Sequence, residues 1–277
     1  MPDQAAELRL LARRVVADEG SAHERPRVVT FCSGKSGQGV TTMSVNYALA
    51  LAERGRRVIV IDAALERSAV AKMLNLRPTA TIDDLLTGER SIHEVLLRGP
   101  CGIQVLPGTA HARRVPDGSP AGIARLAREV GRLGRFADVV VLDAGSGATP
   151  VMRALWRLSD LVMTVIAPQS LALMDAYALI KWLSSTAPQA TLACFVNKAP
   201  DAETSERIAG KVREAAASFC GTEVEAWPGI PEDSAVTACD AVRTPWWFES
   251  PTGPAALALD RLATLSEMVP QRRAKAG

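Results

Sequence analysis

Residues 28–44 read VVTFCSGKSGQGVTTMS, and the fold turns on this stretch. Val28 to Cys32 form an apolar, β-favouring run, Gly34, Gly37 and Gly39 follow closely, and Val40 onward resumes an apolar pattern. That is a strand, a glycine loop and a helix in succession. The segment GKSGQGVT (34–41) almost fits the phosphate-loop pattern G-x-x-x-x-G-K-[ST], in the strand-to-helix setting that the pattern requires. Glycines let successive backbone N–H groups curve around an anion, and the helix N-terminus adds its partial positive charge. The expected nucleotide-binding residues are therefore Gly34, Lys35, Ser36, Gly37, Gln38, Gly39, Val40, Thr41 and Thr42, with the Thr41 hydroxyl available to Mg²⁺. The pattern breaks at Val40, which stands where the phosphate-gripping lysine belongs. Taken alone, the fragment also reads as a glycine turn with no ligand.

Outward from the loop, strands and helices alternate. Apolar strands are expected at 27–32, 57–62, 102–108, 138–145, 161–168, 191–198 and 222–229. Helices are expected near 40–54, 69–75, 82–97, 119–135, 149–158, 170–185, 201–219 and 232–240. A last helix near 254–268 is expected to pack through Leu257, Leu262 and Leu265. Near-continuous Val/Ile/Leu strands alternating with helices predict an α/β fold, with a mostly parallel central sheet covered by helices on both faces.

Upstream, residues 3–17 predict a short amphipathic helix capped by Asp3, with Leu8, Leu11, Ala12 and Val15 on one face. ADEGSAHERP (17–26) is polar, holds Gly20 and Pro26, and reads as a linker. The expected division is an N-terminal helix and linker (1–26), one α/β domain (27–269) and a frayed basic tail (270–277).

Composition narrows the function classes. The 277 residues carry a net charge of +2 and only 4% aromatics, so there is no strong nucleic-acid signal and little material for base stacking. Five scattered cysteines form no C-x-x-C pair and no histidine lies near one, so neither a disulfide framework nor a zinc site is expected. The N-terminus lacks a signal-peptide pattern and no run approaches the roughly 18 apolar residues of a membrane span. A cytoplasmic protein is the expectation.

Further pieces follow the loop in order: Asp62 ending VIVID, Asp143 in VVVLDAGSG with Gly145 and Gly147, Asn197 in FVNK, and Pro231 in PGIPED. With them, residues 27 to about 268 resemble the MinD/ParA family of deviant-Walker P-loop ATPases. The resemblance implies ATP or ADP with Mg²⁺ as cofactor. It implies Lys35 as the signature lysine that reaches phosphates across an ATP-bound dimer. Thr41, Asp62 and Asp143 would form the magnesium shell, and Asn197 and Pro231 would lie near adenine. DAYALIK (175–181) and DQAAELR (3–9) resemble the FlhG/FleN branch of flagellar-number regulators. In that branch the opening helix stimulates FlhF, an SRP-type GTPase. The implied partner contacts are Asp3, Gln4, Ala5, Leu8 and Arg9, with flagellar basal-body components as further partners.

The departures from the family fall on chemistry. Val40 replaces the phosphate lysine, Ala64 replaces the second aspartate of a D-x-D segment, and LERSAVA (65–71) lacks the usual switch-loop glycine, asparagine and aspartate. Ser36 and Gln38 also replace the family's loop residues. A charge-assisted hydrogen bond contributes roughly 1.5–3 kcal/mol, so losing two from one lysine weakens binding about a hundredfold or more. Two functional readings follow. One is a mainly monomeric, FlhG-like regulator acting by protein contacts, with weak Mg-nucleotide binding and lost hydrolysis. The other is a working MinD/ParA-type ATPase in which Lys35 or a partner's lysine substitutes. Relatives attach to membranes through a C-terminal helix; here residues 255–269 are Ala/Leu-rich with little basic character, which predicts core packing and leaves membrane association open.

Overall fold

The computed structural model describes residues 25–64, 68–109, 119–169 and 172–272. The strand of the opening stretch, β1 (Arg27–Ser33), is buried along its length. Val29 and Phe31 point to one hydrophobic layer, while Val28 and Cys32 point to the other, as a period-two backbone demands. It is central because neither face tolerates water. β5 (Val139–Ser146) and β6 (Leu161–Ile166) flank it in parallel.

Beyond β5 lie β2 (Val58–Asp62) and β4 (Gln104–Leu106). Beyond β6 lie β7 (Thr191–Ala199) and the short β8 (Glu225–Ala226). β3 (Leu97–Arg98) pairs antiparallel with β4 at one edge, and β9 (Ile230–Pro231) extends β7 in parallel. Among the described residues the order is β3-β4-β2-β5-β1-β6-β7-β8, with β3 alone antiparallel. The mostly parallel sheet is as expected.

One face is covered by α1 (Val40–Glu53), α2 (Val70–Met73), α9 (Ser234–Val242), α10 (Trp246–Glu249) and α11 (Pro254–Met268). The other is covered by α3 (Ile82–Thr87), α4 (Ile92–Val95), α5 (Pro120–Arg132), α6 (Pro150–Trp156), α7 (Ala172–Thr186) and α8 (Ala202–Cys220). Each layer removes apolar side chains from water at about 25 cal/mol per Å².

Several local expectations change. The single helix near 82–97 is two short helices and a strand. Gly88, at φ 85°, ends α3, and the Ser91/Glu94 capping box starts α4 anew. The strand expected at 222–229 shrinks to β8, with β9 separate. On α11, Leu257 is exposed, while Leu259 and Leu262 carry the core face with Ala255, Ala256 and Ala263. Leu265 packs against this layer only partly buried. The alanines permit close approach to α1, where the Tyr47 and Ser266 hydroxyls meet at 2.6 Å. Core packing of this helix is thus what the structure has, and none of the described helices is long and apolar enough to cross a membrane.

The first and last of the described residues meet at Asp160. Its carboxylate takes the Arg25 guanidinium, the Val28 N–H at 2.8 Å and the Arg272 N–H at 2.8 Å. The Gln271 side chain donates to the Arg25 carbonyl at 2.6 Å. Gln271 and Arg272, placed in the frayed tail by sequence, are therefore docked. The amphipathic helix expected at 3–17, with Asp3, Gln4, Ala5, Leu8 and Arg9, lies outside the described residues.

Candidate nucleotide-binding site

The loop leaves β1 at Ser33, whose hydroxyl donates to the Lys35 carbonyl at 2.8 Å and tightens the first turn. Gly37 and Gly39 then take φ of 86° and 92°, the left-handed region that side chains resist. Such a backbone gathers successive N–H groups into a concavity suited to an anion. Gly39 is the N-cap of α1, and no side chain caps this helix. The first N–H groups of α1 are therefore left for an outside acceptor, with the helix dipole behind them.

Neighbours fix the loop from outside. A Cβ on Gly34 would stand 2.1 Å from the Asp175 carbonyl oxygen of α7, so α7 presses directly on the loop. A Cβ on Gly39 would stand 2.3 Å from Asn197 Nδ2, and that amide donates to the Gln38 carbonyl at 2.9 Å. Asn197 is buried and supports the loop from behind. Gln38 is buried too, with its side-chain oxygen unpaired. Pro231 faces a different cleft, between α8 and α11.

The three residues assigned to magnesium divide. Thr41 donates its hydroxyl to Asp143 Oδ2 at 2.6 Å, while Asp143 Oδ1 accepts the Gly145 N–H at 3.1 Å. Asp62 is the in-register neighbour of Asp143 on β2. Its two oxygens are committed to backbone N–H groups of Ala64, Ala69 and Val70, at 3.2, 3.0 and 3.1 Å. Asp62 thus ties down the segment after β2, while Thr41 and Asp143 form a ready oxygen pair. Burial pushes Asp62 up to about 8, aided by the Asp143 charge beside it. Burial also pushes Asp143 up to about 6, against the hydrogen bonds from Thr41 and Gly145.

In front of the loop is a cavity of about 370 Å³. Ser36, Gly37, Gly39, Val40, Thr41 and Thr42 line one side of it. Ala64 borders it as well, against Gly145, where a Cβ would meet the Ala64 methyl at 2.8 Å. Val40 is 7% exposed and joins the core layer of α1, so an aliphatic group fills the place of a charge. Lys35 is exposed on the loop and does not line the cavity. Sequence reasoning missed Lys198 and Asp240, which do line it. Lys198 follows Asn197 in the left-handed conformation at φ 58°, and Asp240 lies near the end of α9. Lys198 closes the FVNK segment, where Asn197 drew the reading, and Asp240 belongs to no contiguous motif.

Residues 29–246 match the family model described as the CobQ/CobB/MinD/ParA nucleotide binding domain. The chain belongs to this family. It is 30% identical over 217 residues to Antiactivator FleN of Pseudomonas aeruginosa, covering 78% of this chain and 77% of that one. It is 29% identical over 156 residues to the flagellum site-determining protein YlxH of Helicobacter pylori, covering 56% and 53%. The septum site-determining protein MinD of Pyrococcus horikoshii, solved with Mg-ADP, superposes with a TM-score of 0.73 at 20% identity. That match covers 88% of this chain and 96% of that one. At such identity the likeness confirms the fold.

A magnesium nucleotide fits this site in shape and only partly in charge. The left-handed glycines, the uncapped start of α1 and the Thr41–Asp143 oxygen pair suit a metal-bound phosphate. The aliphatic Val40 and the methyl of Ala64 do not supply the cation and carboxylate of the family pattern.

Proposed function

We propose that this protein is a FleN/FlhG-like regulator of flagellar number or placement that works by protein contacts in the cytoplasm. Its nucleotide site binds Mg-ATP or Mg-ADP weakly and does not support effective hydrolysis. The observation that carries this reading is Val40, buried where the phosphate lysine would stand in a loop that keeps its glycines and Thr41. The flagellar names of the FleN and YlxH relatives support the biological setting. In this reading the loop N–H groups hold phosphates, Thr41 and Asp143 hold Mg²⁺, and Asn197 keeps the loop in shape. Bound Mg²⁺ would neutralise phosphate charge. Phosphoryl transfer depends on positioning and charge neutralisation, and Val40 and Ala64 each remove one contribution.

The output is assigned to the N-terminal segment. Gln4 is its polar actor on an SRP-type GTPase, Asp3 and Arg9 orient it, and Leu8 and Ala5 supply its apolar face. Flagellar basal-body components are a second class of partner. The test is the GTP hydrolysis rate of the cognate SRP-type GTPase with the full-length protein added. The intact chain should raise that rate, and Gln4→Ala should abolish the increase. Unchanged stimulation after removal of residues 1–20 contradicts the assignment.

A second reading, a working ATPase with a substitute cation, is favoured by one observation. Lys198 borders the cavity with its side chain half exposed. Phosphate release separates the two readings.

A further inference from the structure

Thr42, in the first turn of α1, donates its hydroxyl to Asp240 Oδ1 at 3.2 Å. Lys198 Nζ stands 3.9 Å from Oδ2 of the same carboxylate, too far for a hydrogen bond, on a side chain 51% exposed. All three residues border the cavity of the glycine loop. An acceptor-only, negatively charged group thus sits against the helix turn whose donors a phosphate would use. A helix start with no capping side chain is an anion site. Here the chain places its own anion at the edge of that site, with one loosely held counter-charge.

We propose that Asp240 is a selectivity residue that holds the affinity of this site for phosphorylated ligands low. It engages Thr42 and repels a polyphosphate, and Lys198 offsets part of its charge. The inference rests on reading the loop as a phosphate cradle, and it gives weak binding a second cause, separate from Val40. Charge is the discriminating variable. A nucleoside carries no phosphate and should be indifferent to Asp240, whereas ADP and ATP should feel it.

Asp240→Asn removes the charge, keeps the size, and leaves an oxygen for the Thr42 hydroxyl. Binding of ATP, ADP and adenosine in the presence of Mg²⁺ should be titrated into four full-length proteins. These are the parent, Asp240→Asn, Val40→Lys and the double variant, each checked by thermal melting. Asp240→Asn should tighten ATP and ADP about tenfold on either background and leave adenosine unchanged, since two charges a few ångströms apart in a partly wet site interact by that order. Unchanged ATP affinity on both backgrounds overturns the role of Asp240. If Val40→Lys alone still strengthens binding in that case, the phosphate-loop reading survives. An equal gain for adenosine and ATP also overturns the proposal, because it would reflect space rather than charge. Failure of all four proteins to bind ATP would sink the proposal and the phosphate-loop reading together.

Discussion

Asp62 and Asp143 lie side by side in register on neighbouring strands, both buried. Burial raises their pKa values, Asp62 to about 8 and Asp143 to about 6, from an ordinary 3.8. Between about pH 4 and pH 8 the folded chain therefore binds more protons than the unfolded chain. Stability then falls as pH rises through that window, the sign expected of a carboxyl raised in the folded state. Asp143→Asn keeps an acceptor oxygen for the Gly145 N–H and turns the Thr41 contact round, the amide donating to the hydroxyl oxygen, while removing the charge beside Asp62. Without divalent metal, this variant should exceed the parent in stability by about 1–3 kcal/mol at pH 8, with the gap closing toward pH 4. Urea unfolding at both pH values in EDTA measures it, and a less stable variant at pH 8 contradicts the electrostatic account. Mg²⁺ should stabilise the parent and leave the variant unmoved, because the Thr41–Asp143 pair has lost its carboxylate.

At the scale of elements, α7 and the loop are one packed unit through Gly34. The Asp175 carbonyl leaves no room for a methyl there, whereas Gly37 has nothing within 4 Å of an added Cβ and only its positive φ to satisfy. Gly34→Ala should cost about 1–3 kcal/mol by overpacking, and Gly37→Ala about 1 kcal/mol by backbone strain. Denaturant midpoints of the two variants compare them, and a Gly34→Ala protein as stable as the parent would show that α7 yields. The elements themselves were legible in sequence where periodicity was long and unbroken. The bounds of α11 and the core of β1 follow directly from apolar spacing. The segment 82–97 misled because its apolar residues keep helical spacing across Gly88, while a glycine in left-handed conformation and a new capping box divide it. Leu257 misled because alanines, not leucines, fill the closest approach of α11 to α1. The loop was legible because it is contiguous. Asp240 and Lys198 were not, since only the placement of α9 and the end of β7 beside α1 brings positions 42, 198 and 240 together.

At the scale of the whole molecule, the fold of the family carries altered chemistry. The sheet positions the loop, Thr41 and Ala64 around one cavity, with the buried Asp143 held to Thr41, yet the strongest charge of the family pattern is replaced by a core valine. Dimers of the resembled family depend on tightly held phosphates between protomers, so a weakly charged loop should leave this chain monomeric. Light scattering should return the 29.4 kDa mass of one chain with or without ATP. A doubling specific to ATP would contradict that expectation and restore a cross-dimer role to Lys35.

Whether the loop has lost hydrolysis is decided by phosphate release under excess Mg-ATP, comparing the parent, Val40→Lys, Val40→Lys with Ala64→Asp, Lys35→Ala and Lys198→Ala. Release should be negligible from the parent and from Val40→Lys, with measurable turnover only where charge and carboxylate are both restored. Robust release by the parent would contradict this, and its loss in Lys35→Ala or in Lys198→Ala would identify the substitute lysine of a working ATPase.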